Sequence, residues 1–216
     1  MPKITRAPEE VSAVKEHILE TALSIMIHDG FENLSMRKLA AKLNMTAANI
    51  YNYFSGKDEL YLAIQTRGFE ILYGDFLSEY EKTGDPVERL KGCVRAYVAF
   101  GTRFADYYDI MFNRPTPKFT DYRGTGLEPA AIHEKTTAMQ VAHITVKIIE
   151  EILRLAPQIS TGDPYQLMLE MWCLLHGLVT LYNSRVYQEV DENYEKSIER
   201  VIQRITAPFV RGEAVE

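Results

Sequence analysis

Between Asn33 and Lys57 the chain carries Arg37, Lys38, Lys42 and Lys57 and no acid, although the whole sequence of 216 residues has 24 cations, 30 acids and a net charge of −6. Such a stretch in an acidic chain suits a site-specific contact with phosphate better than indiscriminate polyanion binding. A chance cluster of solvated lysines would give the same charge count, so the chemistry depends on what lies between the cations. There stand Thr46, Ala47, Ala48 and Asn49. The Asn amide can pair bidentately with an adenine edge, and alanine methyls can meet thymine methyls in a major groove. A second cluster, Trp172-Cys173-Leu174-Leu175-His176-Gly177, puts Trp172 and His176 four apart on one helix face, an aromatic wall with a polar handle. Packing alone is the rival reading of that pair. Catalysis finds no support. Cys173 and His176 lack an acid or second histidine at ligand spacing, and His133 and His143 fall on different faces of one helix. There is no glycine-rich phosphate loop, no nucleophile elbow and no carboxylate pair in an apolar stretch. We therefore expect no enzyme, no catalytic or metal site and no cofactor.

The elements that hold these residues read as helices throughout. Val14, Ile18, Ala22 and Ile25 form one stripe, with Ser12 as its expected N-cap and Gly30 as its stop. Ser35 opens a short helix whose inner face is Met36, Leu39, Ala40 and Leu43. Asn44-Met45-Thr46 makes a turn, since Asn tolerates a left-handed backbone and Thr46 can cap the next helix, Ala47 to Phe54. Ser55 with an acid three residues on resembles a capping box, and Asp85-Pro86 starts a further helix. Asp106 to Phe112 is expected as an aromatic short helix. From Asn113 to Pro129 three prolines and two glycines break the pattern, predicting a mobile loop. The next helix is apolar along Ile132, Met139, Val146 and Leu153 and again along Val141, Ile144, Ile148 and Ile152, which predicts a path through the middle of its domain. Asp163-Pro164 and Asp191 start the last two long helices. Two cysteines, Cys93 and Cys173, cannot make a disulfide framework, no leader opens the chain, and no apolar run approaches the ~18 residues of a membrane span. The expectation is a cytoplasmic protein with no membrane partner.

Three short helices with a three-residue turn between the second and third make a helix-turn-helix, a pattern any three-helix bundle shares. The residues beyond the pattern are more specific. Leu34 to Ile64, with Tyr51-Asn52-Tyr53-Phe54 followed by Lys57-Asp58-Glu59-Leu60, resembles the N-terminal DNA-binding domain of TetR/AcrR-family transcriptional regulators. Asn44 stands where that family usually has Gly. The resemblance implies base contacts from Ala47, Ala48 and Asn49, and phosphate contacts from Ser35, Met36, Arg37, Thr46, Tyr51, Tyr53 and Lys57; core packing is the alternative role for the two tyrosines. Trp172 to Leu178 resembles the Trp-x-x-x-His-Gly signature of one C-terminal ligand-binding subclass.

The expected protein is all-α with about nine helices: an N-terminal arm (1–10), a helix-turn-helix domain (11–72) and a ligand-binding and dimerisation domain (73–216). Tyr107, Tyr108, Met111, Phe112, Met139, His143, Trp172 and His176 form the expected pocket wall, gated by residues 113–129, for a small apolar or aromatic effector. A homodimer is expected through Leu178, Leu181, Ile198, Val201 and Ile205. The implied function is a ligand-released repressor of a double-stranded palindromic operator. An activator or a regulator that needs its ligand to bind DNA is the first alternative, and a helical small-molecule carrier without DNA binding the second.

Overall fold

A computed structural model describes residues 7–157 and 162–211. Among them are ten α-helices and no strand: α1 Pro8–Asp29, α2 Met36–Lys42, α3 Ala47–Tyr51, α4 Lys57–Lys82, α5 Pro86–Arg103, α6 Ala105–Tyr108, α7 Glu128–Leu155, α8 Pro164–Asn183, α9 Val186–Val190 and α10 Tyr194–Arg211. Short 3-10 turns cover Phe31–Asn33 and Phe119–Tyr122, and a π-helical turn covers Asp109–Asn113. The chain divides into two compact units. One comprises the residues up to Gly68 with Asp106–Lys135, the other Phe69–Ala105 with Thr136 onward. Compactness thus groups 106–135 with the first helices, whereas the expected boundary at residue 72 leaves them with the C-terminal domain.

In the first unit α1 begins at Pro8, earlier than Ser12. Pro at the first turn needs no N–H partner, and Glu9 and Glu10 complement the helix dipole there. Residues 8–10 therefore belong to the helix, not to an arm; residues 1–6 lie outside the described range. Ile18, Ala22, Ile25 and Met26 are buried against Leu39, Ile50, Leu60 and Ile64. α3 stops at Tyr51, shorter than expected, yet Phe54 still reaches the core at 5% exposure. At the head of α4 it is Glu59, not Asp58, that reaches back: its Oε2 accepts from the Ser55 amide and hydroxyl, each at 2.6 Å.

The segment expected as a mobile loop is packed instead. The Tyr61 and Thr116 hydroxyls hydrogen-bond to each other while buried, and Tyr122 packs with Leu62 and Ala131. Sequence rules that read Pro and Gly as breakers detect missing periodicity, not missing contacts. The aromatic helix before it is also split, with α6 ending at Tyr108 and the π turn following.

In the second unit α5, capped by Asp85 Oδ1 on the Val87 amide at 2.8 Å, packs against both α8 and α10. Leu90, Cys93, Val94, Tyr97 and Phe100 line its buried side. Cys93 behaves as a small apolar residue, its thiol pushed up to about 12 by burial. Arg89 Nη1 meets Glu151 Oε2 at 2.9 Å and stacks over the Tyr80 ring at 4.0 Å. On α7, Ile144, Ile148, Ile149 and Ile152 are buried, but Met139, Val146 and Leu153 are only half-buried, and Ile132, in the first unit, is exposed. The helix thus has one buried face rather than a path through the middle of a domain. α10 begins at Tyr194; the Asp191 carboxylate closes the preceding turn by accepting from the Asn193 amide and the Ser197 hydroxyl.

Candidate nucleic-acid interface

α2 and α3 owe their orientation to three local devices. Ser35 Oγ accepts from the Lys38 amide and Thr46 Oγ1 from the Asn49 amide, each at 3.2 Å, so both helices start on side-chain caps. Between them Asn44 adopts φ 51°, the left-handed conformation the turn requires, and the Met45 amide closes onto Ala40 O at 2.9 Å. Gly30, at φ 86° and ψ 155°, ends α1 in a different positive-φ conformation, one that favours glycine. Ile50 is fully buried, which locks the rotation of α3 and turns its other side outward.

On that outer side Ala48 and Tyr51 are exposed, Tyr51 at 55%, and Asn49 is half-buried, whereas Ala47 and Tyr53, also half-buried, pack against the core cluster. Ser35 and Thr46 use an oxygen lone pair in capping, which leaves each hydroxyl proton able to donate to a phosphate oxygen. The Met36 side chain is buried at 7% exposure, so as a contact residue it offers only its main chain. Arg37 is exposed and makes no ion pair among the described residues. The lysines differ. Lys38 Nζ lies 2.9 Å from Asp29 Oδ2, and this bond holds the Asp29 carboxyl below the usual carboxylate range. Lys57 Nζ lies 3.2 Å from Glu32 Oε2 and 4.6 Å from the centre of the Phe31 ring. Counting residues 33–57 alone misses both acids, which stand just before that stretch at the end of α1 and in the following 3-10 turn.

The eight expected effector residues fall in different units. Tyr107, Tyr108, Met111 and Phe112 belong to the first, where Tyr108 is fully buried and its ring lies 4.9 Å from that of Phe112. Met111 is buried and seated where Gly68 of α4 has no side chain; a Cβ at Gly68 would overlap the Met111 Sδ. Met139, His143, Trp172 and His176 belong to the second unit. There the Trp172 and His176 rings lie 6.5 Å apart, Trp172 is 39% exposed, and its Nε1 donates to Tyr97 Oη at 2.9 Å. Tyr97, buried on α5, escaped the sequence reading because an α5–α8 contact leaves no local trace. Burial holds the His176 imidazole below its ordinary value, while His143 is exposed. The 113–129 segment does not stand open as a gate, given the anchoring of Thr116 and Tyr122.

Of the five residues expected at a dimer contact, Leu178 and Ile205 are buried within their own chain at 5% and 9% exposure. Leu181 is exposed, and Ile198 and Val201 are half-buried. At Gly177 of α8, leaving aside its own helix backbone, no atom among the described residues lies within 4 Å of where a Cβ would stand. Among the described residues no group of His, Cys, Asp and Glu could hold a metal ion, and no helix is long and apolar enough to cross a membrane.

Residues 18–64 match the family model described as bacterial regulatory proteins, tetR family, and residues 90–205, more than half of the chain, match the tetracyclin repressor-like C-terminal domain. An uncharacterized HTH-type transcriptional regulator of Haemophilus influenzae is 34% identical over 68 residues, covering 32% of this chain and 36% of that protein. The HTH-type transcriptional activator FasR of Mycolicibacterium smegmatis is 26% identical over 95 residues, covering 44% and 43%. The matched region thus spans less than half the length of either relative. A crystal structure of AibR in complex with isovaleryl coenzyme A and operator DNA superposes with a TM-score of 0.65 at 20% identity, covering 88% of this chain and 96% of that one.

Proposed function

Because the chain belongs to the TetR family of bacterial regulatory proteins, we propose that it is a DNA-binding transcriptional regulator, a repressor that binds a palindromic operator as a homodimer and leaves it when a small effector binds. The observation that carries the proposal is the α2–turn–α3 geometry. Two side-chain caps and the left-handed Asn44 hold a short helix whose outer side is small and polar, flanked by the exposed Arg37. Such a helix enters a major groove without steric cost and presents Asn49 and two methyl groups to base edges. Ser35, Arg37, Thr46, Tyr51, Tyr53 and Lys57 then supply the phosphate contacts that fix its register.

Effector binding belongs to the second unit in this reading. Trp172, Tyr97 and His176 combine aromatic surface with an imidazole that stays neutral near pH 7, which suits an apolar or aromatic molecule with one or two polar groups. The Trp-x-x-x-His-Gly subclass assignment rests on the same residues. The AibR complex, which holds an acyl coenzyme A and operator DNA, supports a fold that serves both partners. Release follows as a population shift, the effector favouring a state whose heads no longer match successive grooves.

A second reading has its own support: FasR is an activator, so occupancy of the same operator can switch transcription on. The test is fluorescence anisotropy with the DNA upstream of the protein's own gene, followed by titration of hydrophobic compounds. Saturable binding that competitor DNA does not abolish, and that a compound reverses, is the expected result. Binding that appears only after a compound is added would favour the ligand-dependent alternative; no binding in either condition would leave a small-molecule carrier.

A further inference from the structure

Two of the four cations that mark the interface are not free to meet phosphate as the chain stands. Asp29, the last residue of α1, holds Lys38, and Glu32, in the next turn, holds Lys57 against the Phe31 ring. The acids stand at the end of α1 and in the 3-10 turn after it, on the same unit as the cations they hold. Neither pair is needed to build the fold. Glu32 is 86% exposed and both members of the Asp29–Lys38 pair are more than a third exposed, so each contributes little to stability. What the pairs do change is the charge that a passing polyanion meets.

We propose that Asp29 and Glu32 are specificity-determining residues, internal counter-ions that withhold Lys38 and Lys57 from DNA until the head is docked in register. The inference rests on the head being a DNA interface. Non-specific association draws essentially all its affinity from phosphate neutralisation, in many orientations that fix no single phosphate beside a given lysine. In such encounters a nearby carboxylate at contact distance competes well, and Arg37 and Lys42 carry the attraction. In the specific complex, base contacts from α3 fix the head, a phosphate stands at one place beside Lys57, and the exchange of carboxylate for phosphate follows. The acids thus lower non-specific affinity more than operator affinity, which matters because competing non-specific sites vastly outnumber the operator.

The test compares wild type, Asp29→Asn, Glu32→Gln, the double variant, Arg37→Ala and Lys57→Ala. Anisotropy is followed from 0.05 to 0.3 M KCl on two 30-bp probes, one of mixed sequence and one enriched from a random pool by the wild-type protein. Each neutralised acid should tighten mixed-sequence binding about fivefold at 0.1 M salt and steepen its log–log salt dependence by about 0.9, one further phosphate contact. On the enriched probe the slope should change by less than half as much, so that the ratio of the two affinities falls. Thermal melts should match wild type, separating this effect from a folding defect. If Arg37→Ala and Lys57→Ala flatten the salt dependence while Asp29→Asn and Glu32→Gln leave it unchanged, or change both probes equally, the counter-ion role is overturned and the interface stands. If Arg37→Ala and Lys57→Ala change nothing on either probe, the interface reading falls and the proposal with it.

Discussion

Arg37 on α2 and Asn49 on the adjoining α3 have different chemistry to offer, and that difference is measurable. An exposed guanidinium without an ion pair reads phosphate, so Arg37→Ala should weaken binding to every sequence alike and lower the salt slope by about one. A carboxamide on the first turn of α3 reads a base edge, so Asn49→Ala should relax preference at one base pair by roughly 1–3 kcal/mol and leave the salt slope alone. Equal losses on specific and mixed-sequence DNA for both variants would refute this division of labour. His176 offers a separate handle. Burial holds its folded pKa below the ordinary 6.5, so the unfolded chain takes up the proton first as pH falls. The stability tied to the neutral imidazole is complete above pH 6.5 and is lost as the pH drops through the folded value. Melting temperatures from pH 8 to pH 5 should therefore fall more steeply for wild type than for His176→Phe, and parallel curves would contradict the burial. At this scale the head was largely legible, because caps, a left-handed Asn and a buried Ile50 are local rules. The engagement of Lys38 and Lys57 was not, since a count of charges along the chain does not say which acid folds back on which lysine.

Between helices, the close seat of Met111 against Gly68 sets a sharper test than any single contact. Gly inside a helix costs about 1 kcal/mol relative to Ala, so Gly68→Ala should stabilise α4 if nothing stood in the way. Here a methyl would overlap the sulfur of Met111, which is 4% exposed, and would stand 3.3 Å from both Met111 Cγ and the Tyr107 ring, so more than one atom must give way. Overpacking of a buried side chain costs about 1–3 kcal/mol, which outweighs the helix gain. Gly68→Ala should thus lower the melting temperature by a few degrees, and Met111→Ala in the same chain should recover part of the loss, a coupling of at least about 0.5 kcal/mol. A Gly68→Ala variant that melts higher than wild type would show that the π turn does not press on α4. Periodicity located α4 and the aromatic stretch separately but had no means of pairing them, and it read 113–129 as a gate because prolines and glycines interrupt the pattern. The Tyr61–Thr116 bond and the packing of Tyr122 on Leu62 are contacts across 55 or more residues, beyond the reach of any local signal.

For the proposed homodimer the two faces of α8 differ. Met168, Met171, Leu175, Leu178 and Val179 turn into their own unit, while Leu174 and Leu181 stand 59% and 44% exposed with Gly177 between them on the same row. Three residues spaced i, i+3 and i+7 share one helix face, and an exposed apolar row of this kind marks a contact surface. Gly177 adds a geometric argument. Among the described residues nothing outside its own helix backbone approaches it, so within one protomer its lack of a side chain relieves no described contact and costs helix stability. A second copy packed across this row would use the space for close helix approach, with Leu181, Ile198 and Val201 in the contact and Leu178 and Ile205 beneath it. Apolar periodicity alone does not separate the buried Leu178 and Ile205 from the exposed Leu181, because a helix apolar on both sides does not reveal which side is already covered. Leu181→Asp should give monomers by sedimentation equilibrium, and because the two half-sites are then engaged independently, operator affinity should fall by about 10² or more. Gly177→Ala separates the interface from folding. In a monomeric Leu181→Asp background it should stabilise the chain by up to about 1 kcal/mol, whereas in the wild-type chain it should weaken dimerisation. A Leu181→Asp protein that remains dimeric, or a Gly177→Ala change that stabilises both backgrounds equally, would place the partner on another face, and Leu174 and Leu181 would then have to be covered by something other than a second copy.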